Sequence, residues 1–469
     1  KVTEKRVFHI AGFIVVALGC GLFTNQIILS DFMEEHQINI RMFRPMESYQ
    51  KYGGVLTFAR SVGYAVVKKP EGYTTAKVDQ IIQEYEKKSA NEQQSTAKQY
   101  PNIITVVNET FADIKVLGDF KTNEDYMPYF HSLKKNCVTG YTYASIVGGQ
   151  TANTEFELLT GNTLGFLSAG TTAFQLYIHG QMPSLVSNLK AEGYSGNKAM
   201  HPFNPYNYNR PAVYKDFGFT DFIDKFDFPK NVKRVREYIS DEANVDRIIS
   251  EYEKNRKKTD QPFYMYNMTI QNHSPYDKDA ANFKQPIKIE SSKYDAEANR
   301  YLNLIKYSDD SLKQLTSYFE KCKEPTIILF LGDHQPRLTD EFMNKITNGQ
   351  YQTWSSEQMM KRYQVPFVIW ANYDIKEQHI EKTSMNYIQS ILTQTAGVKM
   401  TGYQRFLNEV RKEVPTITSQ GYWGKNGKFY QINDKGSPYY GIIQKYRMIQ
   451  YNMMFDKKNR RDSFFEVSK

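Results

Sequence analysis

The sequence predicts an α/β fold, with a central, mostly parallel sheet flanked by helices and a transmembrane helix ahead of it. Three observations carry this. Short apolar, β-branched runs (IITVV, TIILFL and VPFVIW) are bounded by polar residues, as strands buried on both faces are. Amphipathic stretches separate the first two runs, as crossover helices do. Near the N-terminus lies a charge-free apolar segment long enough to span a bilayer.

That segment, VFHIAGFIVVALGCGLFTNQIIL, covers residues 7–29. Lys1, Lys5 and Arg6 precede it, and Asp31, Glu34 and Glu35 follow. The N-terminus is therefore expected in the cytoplasm and the body of the chain outside. No small-residue cleavage site is evident, so residues 1–30 read as an anchor rather than a signal peptide; the start at Lys1 leaves room for segments upstream. Residues 31–100 read as a juxtamembrane helical linker. Within it, 41–69 is an amphipathic connector helix with Pro45 near its start, a membrane-surface helix being the alternative. A second helix covers 77–88, and the polar stretch SANEQQSTAKQ (89–99) ends the region. Residues 101–400 form the expected catalytic domain. Its strands lie at 103–107, from Phe263 onward, at 326–331 and at 364–372, with helices over 184–194 and 298–321. Residues 401–469 make a C-terminal subdomain: a hairpin over 421–436 turning at GKNG, then a helix over 442–461 whose Tyr and Met stripe reads as packing.

Composition narrows the function classes. The 469 residues are 14% aromatic and 24% charged, which supplies a core and argues against general disorder. The net charge of +9 is scattered, and no nucleic-acid-binding motif accompanies it. Attraction to anionic lipid is the secondary reading of that charge. Cys20, Cys137 and Cys322 are far apart and imply neither a disulfide framework nor a thiolate metal site.

Chemistry gathers at strand ends. Ligands of open α/β sheets collect outside the carboxyl ends of the strands. Glu109 follows the first run and Asp333–His334 the late one, so the three are expected on one rim. Two carboxylates and an imidazole suit Mn²⁺, Zn²⁺ or Mg²⁺; a turn-capping Glu109 and a loop Asp-His pair are the plainer readings. His273 (NHSPY) also lies past a strand. His201 and Arg210 sit in the polar loop MHPFNPYNYNR, where they suit phosphate oxygens, Arg through its planar fork. The stretch GGQTANTEFELLTG (148–161) reads as a turn entering a helix, or as a hydroxyl nucleophile presented at a helix start. Thr151 and Thr154 are its two candidates.

NETF, GGQTANTEF, MHPFNPYNYNR with VYKDFGFTDFID, PFYMYNMTIQNHSPY and LGDH occur in that order. The ordered set resembles the lipoteichoic acid synthase family of phosphoglycerol transferases, within the alkaline phosphatase/sulfatase-like superfamily, over about residues 100 to 400. The resemblance implies that Glu109, Thr151, Asp333 and His334 bind one divalent metal, typically Mn²⁺, with Thr151 as nucleophile. It places His201, Arg210 and His273 around a glycerol phosphate group. Tyr208 stands where staphylococcal-type enzymes have Trp, Gln150 where they have Lys, and Gln335–Pro336 departs from their continuation after GDH. The implied reaction moves glycerol phosphate from phosphatidylglycerol to a polyglycerolphosphate or glycolipid acceptor, outside the cell membrane of a Gram-positive-type bacterium. Alternatives are a phosphoglycerol or phosphoethanolamine transferase or phosphodiesterase acting on another glycan or lipid, or a non-catalytic wall-polymer binder. Sulfatase chemistry is not expected, because no C/S-x-P-x-R signature is present.

Overall fold

The computed structural model describes residues 2–28, 32–36, 38, 40, 45–89, 99–290 and 296–467. The polar stretch expected as a linker falls almost wholly at 90–98, outside the described residues.

In chain order the strands are β1 (Asn102–Asn108), β2 (Cys137–Tyr143), β3 (Ser195–Met200), β4 (Asp221–Ile223), a small hairpin of β5 (Arg234–Val235) and β6 (Tyr238–Ile239), β7 (Phe263–Met268), β8 (Thr326–Gly332), β9 (Gln364–Ala371) and β10 (Gln378–Ser384). Eight of them form one sheet in the order β10-β2-β9-β8-β1-β7-β3-β4. The β-branched runs sit in its middle because both faces there are covered. Along β1, Ile103 and Val107 enter one apolar cluster while Ile104 and Val106 enter the other. β8 divides in the same way, with Ile327, Leu329 and Leu331 on one side and Ile328 and Phe330 on the other. This period of two explains why these strands read as unbroken apolar runs.

The sheet is mixed rather than wholly parallel: β9 runs antiparallel to both neighbours, β2 and β8. The chain leaving β8 returns through short helices to the same end of the sheet, so β9 has to run back. Every other adjacent pair is parallel. The carboxyl ends of β1, β2, β3, β7 and β8 thus share one rim.

Helix α1 (Val2–Phe23) continues into a π-helical turn, Thr24–Ile28. Lys5–Ile28 is long and apolar enough to cross a membrane, and its most apolar window packs against no other part of the chain. After α2 (Phe32–Glu35) comes α3 (Pro45–Ala65), broken at Gly53 (φ 74°). The expected connector helix is thus present over 45–65; its first residues, 41–44, lie outside the described residues. Helix α4 (Thr75–Ser89) places Val78, Ile81, Ile82 and Tyr85 in the same apolar cluster as Phe406 and Ile449 from the C-terminal region. Glu84–Lys445 (2.7 Å) and Asp79–Arg461 (2.5 Å) pair across that contact.

Beyond the main sheet, the expected hairpin is β12 (Gly421–Trp423) with β13 (Phe429–Tyr430), and β11 (Thr416–Thr418) adds a third strand. The last long helix covers Tyr440–Met454, shorter than the 442–461 expected. Asn452 explains the stop: its side chain donates to the carbonyl of Asn459 (3.1 Å) and accepts from the amide of Arg461 (3.1 Å), folding the tail back on the helix.

Candidate active site

Parallel register brings the first three groups together. Asn108 pairs with Gly332, so the next residues, Glu109 and Asp333, leave the sheet side by side. Gly332 permits this: a Cβ there would lie 1.8 Å from the carbonyl oxygen of Phe111. Ligand atoms of Glu109, Asp333 and His334 all lie within 4.8 Å of one another, and all three residues are buried. Thr110, in a left-handed conformation (φ 55°), turns back to brace them. Its amide donates to Asp333 Oδ1 (2.6 Å) and its hydroxyl to Glu109 Oε1 (2.8 Å).

The donor set fits a divalent cation. His334 donates Nδ1–H to the carbonyl of Gln335 (3.0 Å), which leaves the Nε2 lone pair facing Asp333 Oδ2 at 3.3 Å. Among the described residues neither Nε2 nor that oxygen has a hydrogen-bond partner, although both are buried. A lone pair held against a carboxylate is repulsive unless positive charge lies between them. Burial, and then the neighbouring Asp333, push the Glu109 carboxyl up to about 8.

The GGQ segment delivers the hydroxyl. Gly148 (φ 67°) and Gly149 (φ 141°) make the turn, Gln150 sits left-handed (φ 66°), and helix α6 (Thr151–Thr160, following the short α5, Pro128–Ser132) begins at Thr151. No side chain caps this helix, whose positive dipole end points to the rim, and the Asn153 amide donates to the carbonyl of Gln150 (2.8 Å). The Thr151 hydroxyl lies 3.4 Å from Glu109 Oε2. Thr154, the other candidate hydroxyl, and Asn153 are engaged elsewhere. Thr154 donates to the carbonyl of Asp333 (2.8 Å), while Asn153 donates to Thr171 O (2.8 Å) and accepts from Ala173 N (2.9 Å).

A cleft of about 520 Å³ opens over these groups, and His201, Tyr208, Arg210 and His273 all line it. His201 directly follows β3; its Nδ1–H donates to the carbonyl of Met268 (3.0 Å). Burial, and then Arg210, hold this imidazole well below its usual pKa, so it is neutral at neutral pH. Arg210 is not a surface loop residue. It starts the helix Arg210–Phe217, is 1% exposed, and spends its Nε (3.0 Å) and Nη2 (2.7 Å) on Glu155 Oε1. The fork that sequence reading assigned to phosphate is therefore engaged by a carboxylate, and only Nη1 is without a hydrogen bond. The Tyr208 ring lies 5.1 Å from the guanidinium. His273 is half-buried, its ring stacked on Phe203 and its Nδ1–H donating to the carbonyl of Ser274 (2.7 Å).

Several contributors were not foreseen. Glu155 is wholly buried and also accepts from Tyr214 and from Tyr266 (3.1 Å). Arg236 clamps the loop carrying His273 through the carbonyls of Gln271 (2.8 Å), His273 (2.7 Å) and Pro275 (2.7 Å). Asn272 donates to the carbonyl of Glu109 (3.0 Å) and ties that loop to the rim. The TEF sequence following Thr151 offered the one readable signal, an acid one turn after the hydroxyl.

Residues 101–398 match the sulfatase family. A Rhizobium meliloti (strain 1021) protein, provisionally named for cyclic beta-1,2-glucan modification, is 30% identical over 433 residues, or 91% of this chain and 65% of its own. The lipoteichoic acid synthase-like YvgJ of Bacillus subtilis (strain 168) is 27% identical over 237 residues, 50% of this chain and 36% of that protein. The chain thus spans less than two thirds of either relative. Among solved structures, the Streptococcus pyogenes phosphoglycerol transferase GacH, in complex with sn-glycerol-1-phosphate, shares the fold. It aligns with a TM-score of 0.69 at 20% identity, over 86% of this chain and 100% of that one. The lipoteichoic acid synthase LtaP of Listeria monocytogenes gives 0.57 at 19% identity, over 81% and 98%.

Proposed function

The chain belongs to the sulfatase family, within the alkaline phosphatase superfamily of enzymes, and from that premise we propose that it is a membrane-anchored phosphoglycerol transferase. One observation supports this above the rest: an uncapped helix start holds the Thr151 hydroxyl beside three buried ligand-type groups, two of which each keep one buried atom without a hydrogen-bond partner among the described residues. In this reading Glu109, Asp333, His334 and Thr151 hold one divalent metal, Mn²⁺ by preference, with Mg²⁺ or Zn²⁺ suited to the same set. When bound, the ion supplies the charge that acidifies a hydroxyl and offsets phosphate charge.

The chain's own residues then do the following. Thr151 Oγ attacks the phosphorus of phosphatidylglycerol. An O–P bond forms as the bond to diacylglycerol breaks, and the lipid oxygen leaves with a proton. The positive end of the α6 dipole faces the phosphoryl oxygens. His201, Tyr208, Arg210 and His273 surround the glycerol phosphate, and the two imidazoles are the cleft's candidates for moving protons. An acceptor hydroxyl then attacks the same phosphorus and frees Thr151. The basic N-terminal flank supports a reaction on the outer face of the membrane.

Two acceptors suit this chemistry. The resemblance to lipoteichoic acid synthases favours polyglycerolphosphate or a glycolipid. A glycan hydroxyl is favoured by the Rhizobium meliloti relative, which aligns with 91% of the chain; Tyr208 and Gln150, in place of Trp and Lys, leave the acceptor open. The test uses the full chain in liposomes with Mn²⁺ and phosphatidylglycerol labelled in its headgroup. Diacylglycerol release, with label passing to either a glycolipid or a cyclic glucan, is expected. Absence of diacylglycerol release with every acceptor would refute the proposal.

A further inference from the structure

A second cleft, of about 550 Å³, lies away from this chemistry, where the apolar N-terminal segment meets the catalytic domain. Ile28, the last residue of that segment, is in its wall, and the carbonyl of Ile28 approaches Gly63 of α3 so closely that a Cβ there would stand 3.1 Å away. The C-terminal half of α3 is two-faced. Thr57, Arg60 and Tyr64 share a buried face, and the carbonyl of Tyr64 accepts from Tyr177 (2.8 Å), docking the helix on the catalytic domain. On its other face Val55, Phe58 and Val62 recur at helical spacing and are 71%, 66% and 38% exposed, and Val66, just past the helix end, is 46% exposed.

Behind that apolar face the cleft is cationic. Lys69 and Arg447 line it together with Arg60 and Lys68, and among the described lining residues the acid is Glu71, which faces Lys435 at 3.5 Å. Arg447 is half-buried. Its Nη2 donates to Asn433 (2.8 Å), its Nε has no hydrogen-bond partner, and it forms no ion pair among the described residues.

We infer that α3 lies in the membrane interface, its apolar face among acyl chains, and that the cleft behind it holds the phosphate of an anionic membrane lipid. Continuity with the end of the span selects lipid as the occupant. A face meeting the bilayer needs Val and Phe outward and cations at headgroup level, which is the arrangement found. The site is separate from the catalytic one: Thr151 starts α6, whereas Gly165 to Ala169, beyond the other end of that helix, line this cleft. The helix alone is about 15 Å long. The inference rests on the membrane-anchored reading of the chain but not on the phosphoglycerol chemistry.

The full chain in phosphatidylcholine–phosphatidylserine liposomes tests it, with tryptophan introduced singly as Phe13→Trp in the span, Phe58→Trp in α3 and Lys321→Trp on the opposite face of the sheet. Lipids brominated in the acyl chain are expected to quench the first two at least twofold beyond the parent protein, and not the third. Quenching at 13 with 58 behaving like 321 overturns the inference and spares the anchor. Failure at both 13 and 58 overturns both. For the headgroup, native mass spectrometry of the detergent-purified chain should show phosphatidylserine retained over phosphatidylcholine. Arg447→Gln and Lys69→Gln should each weaken that retention about fivefold, in line with the worth of one cation at a lipid surface. Lys69 is exposed, so its variant has no folding penalty to confuse the result. Unchanged retention in both variants, or displacement by inorganic phosphate at equal concentration, overturns the lipid site.

Discussion

Thr151 and Thr154 are separated by one helical turn and by their bonding, so single substitutions distinguish them. The Thr151 hydroxyl reaches Glu109 Oε2, whereas that of Thr154 is held by the carbonyl of Asp333. With Thr151 as nucleophile, Thr151→Ala should lower diacylglycerol release by at least about 10³-fold. Thr154→Ala should cost about 1 kcal/mol of stability, the worth of one buried hydrogen bond, and leave the rate within about tenfold. Rates and denaturant midpoints measured on both variants check this. Glu157, two turns into the same helix, carries a pH prediction. Burial pushes its carboxyl up to about 7, against the backbone amide of Leu164 and the hydroxyls of Ser145 and Thr163, which favour its charged form. Below pH 4.5 the acid is protonated whether folded or not, and its burial has no pH-dependent cost. As pH rises from 4.5 to 7, the unfolded chain releases this proton and the folded one retains it, so stability falls. The loss amounts to about 3 kcal/mol across that window. Denaturant titrations at pH 4.5 and 8 should therefore show wild type losing ground to Glu157→Gln by an amount of that order.

Strand ends were legible because a strand buried on both faces must be apolar throughout, and the polar residue that stops the run marks the rim. IITVV before Glu109 and TIILFL before Asp333 display this directly. The reversal of β9 was not legible, since VPFVIW looks the same run in either direction. Nor could the pairing of Arg210 with Glu155 be read, because 55 residues and a change of element separate them. The tight approach of Gly332 to Phe111 belongs to the same class: LGDH looks like an ordinary loop entry until the neighbouring chain is in place. Here a Cβ would lie 1.8 Å from a backbone oxygen, which no side-chain rotation relieves. Gly332→Ala should force β8 away from the turn after β1 and cost at least about 1–3 kcal/mol. Because Asp333 is the next residue, metal affinity should fall as well. A variant with unchanged Mn²⁺ affinity and melting temperature would contradict this account of the rim.

For the molecule as a whole, two demands meet in the same sheet. The membrane-facing end requires apolar and cationic residues outward, and the rim requires acids inward, where they repel one another. Glu109 and Asp333 are buried side by side with His334 Nε2 and Asp333 Oδ2 unpartnered, so the folded state without a cation carries an electrostatic cost that the unfolded chain does not. A cation that binds only the folded state removes that cost and adds its own binding energy. At a free Mn²⁺ concentration of one hundred times its Kd, the added stability is about 2.7 kcal/mol. For a domain of this size that corresponds to roughly 3 °C in melting temperature. Chelation of the purified chain should lower the melting temperature by about that amount, and Mn²⁺ should restore it. Asp333→Asn supplies the discriminating arm. Removing one of the two crowded buried acids should raise the melting temperature of the chelated protein towards that of the metal-loaded parent, yet abolish the response to Mn²⁺. If chelation leaves wild type and Asp333→Asn equally stable, the buried acids are satisfied without a metal and the cation site is wrongly placed.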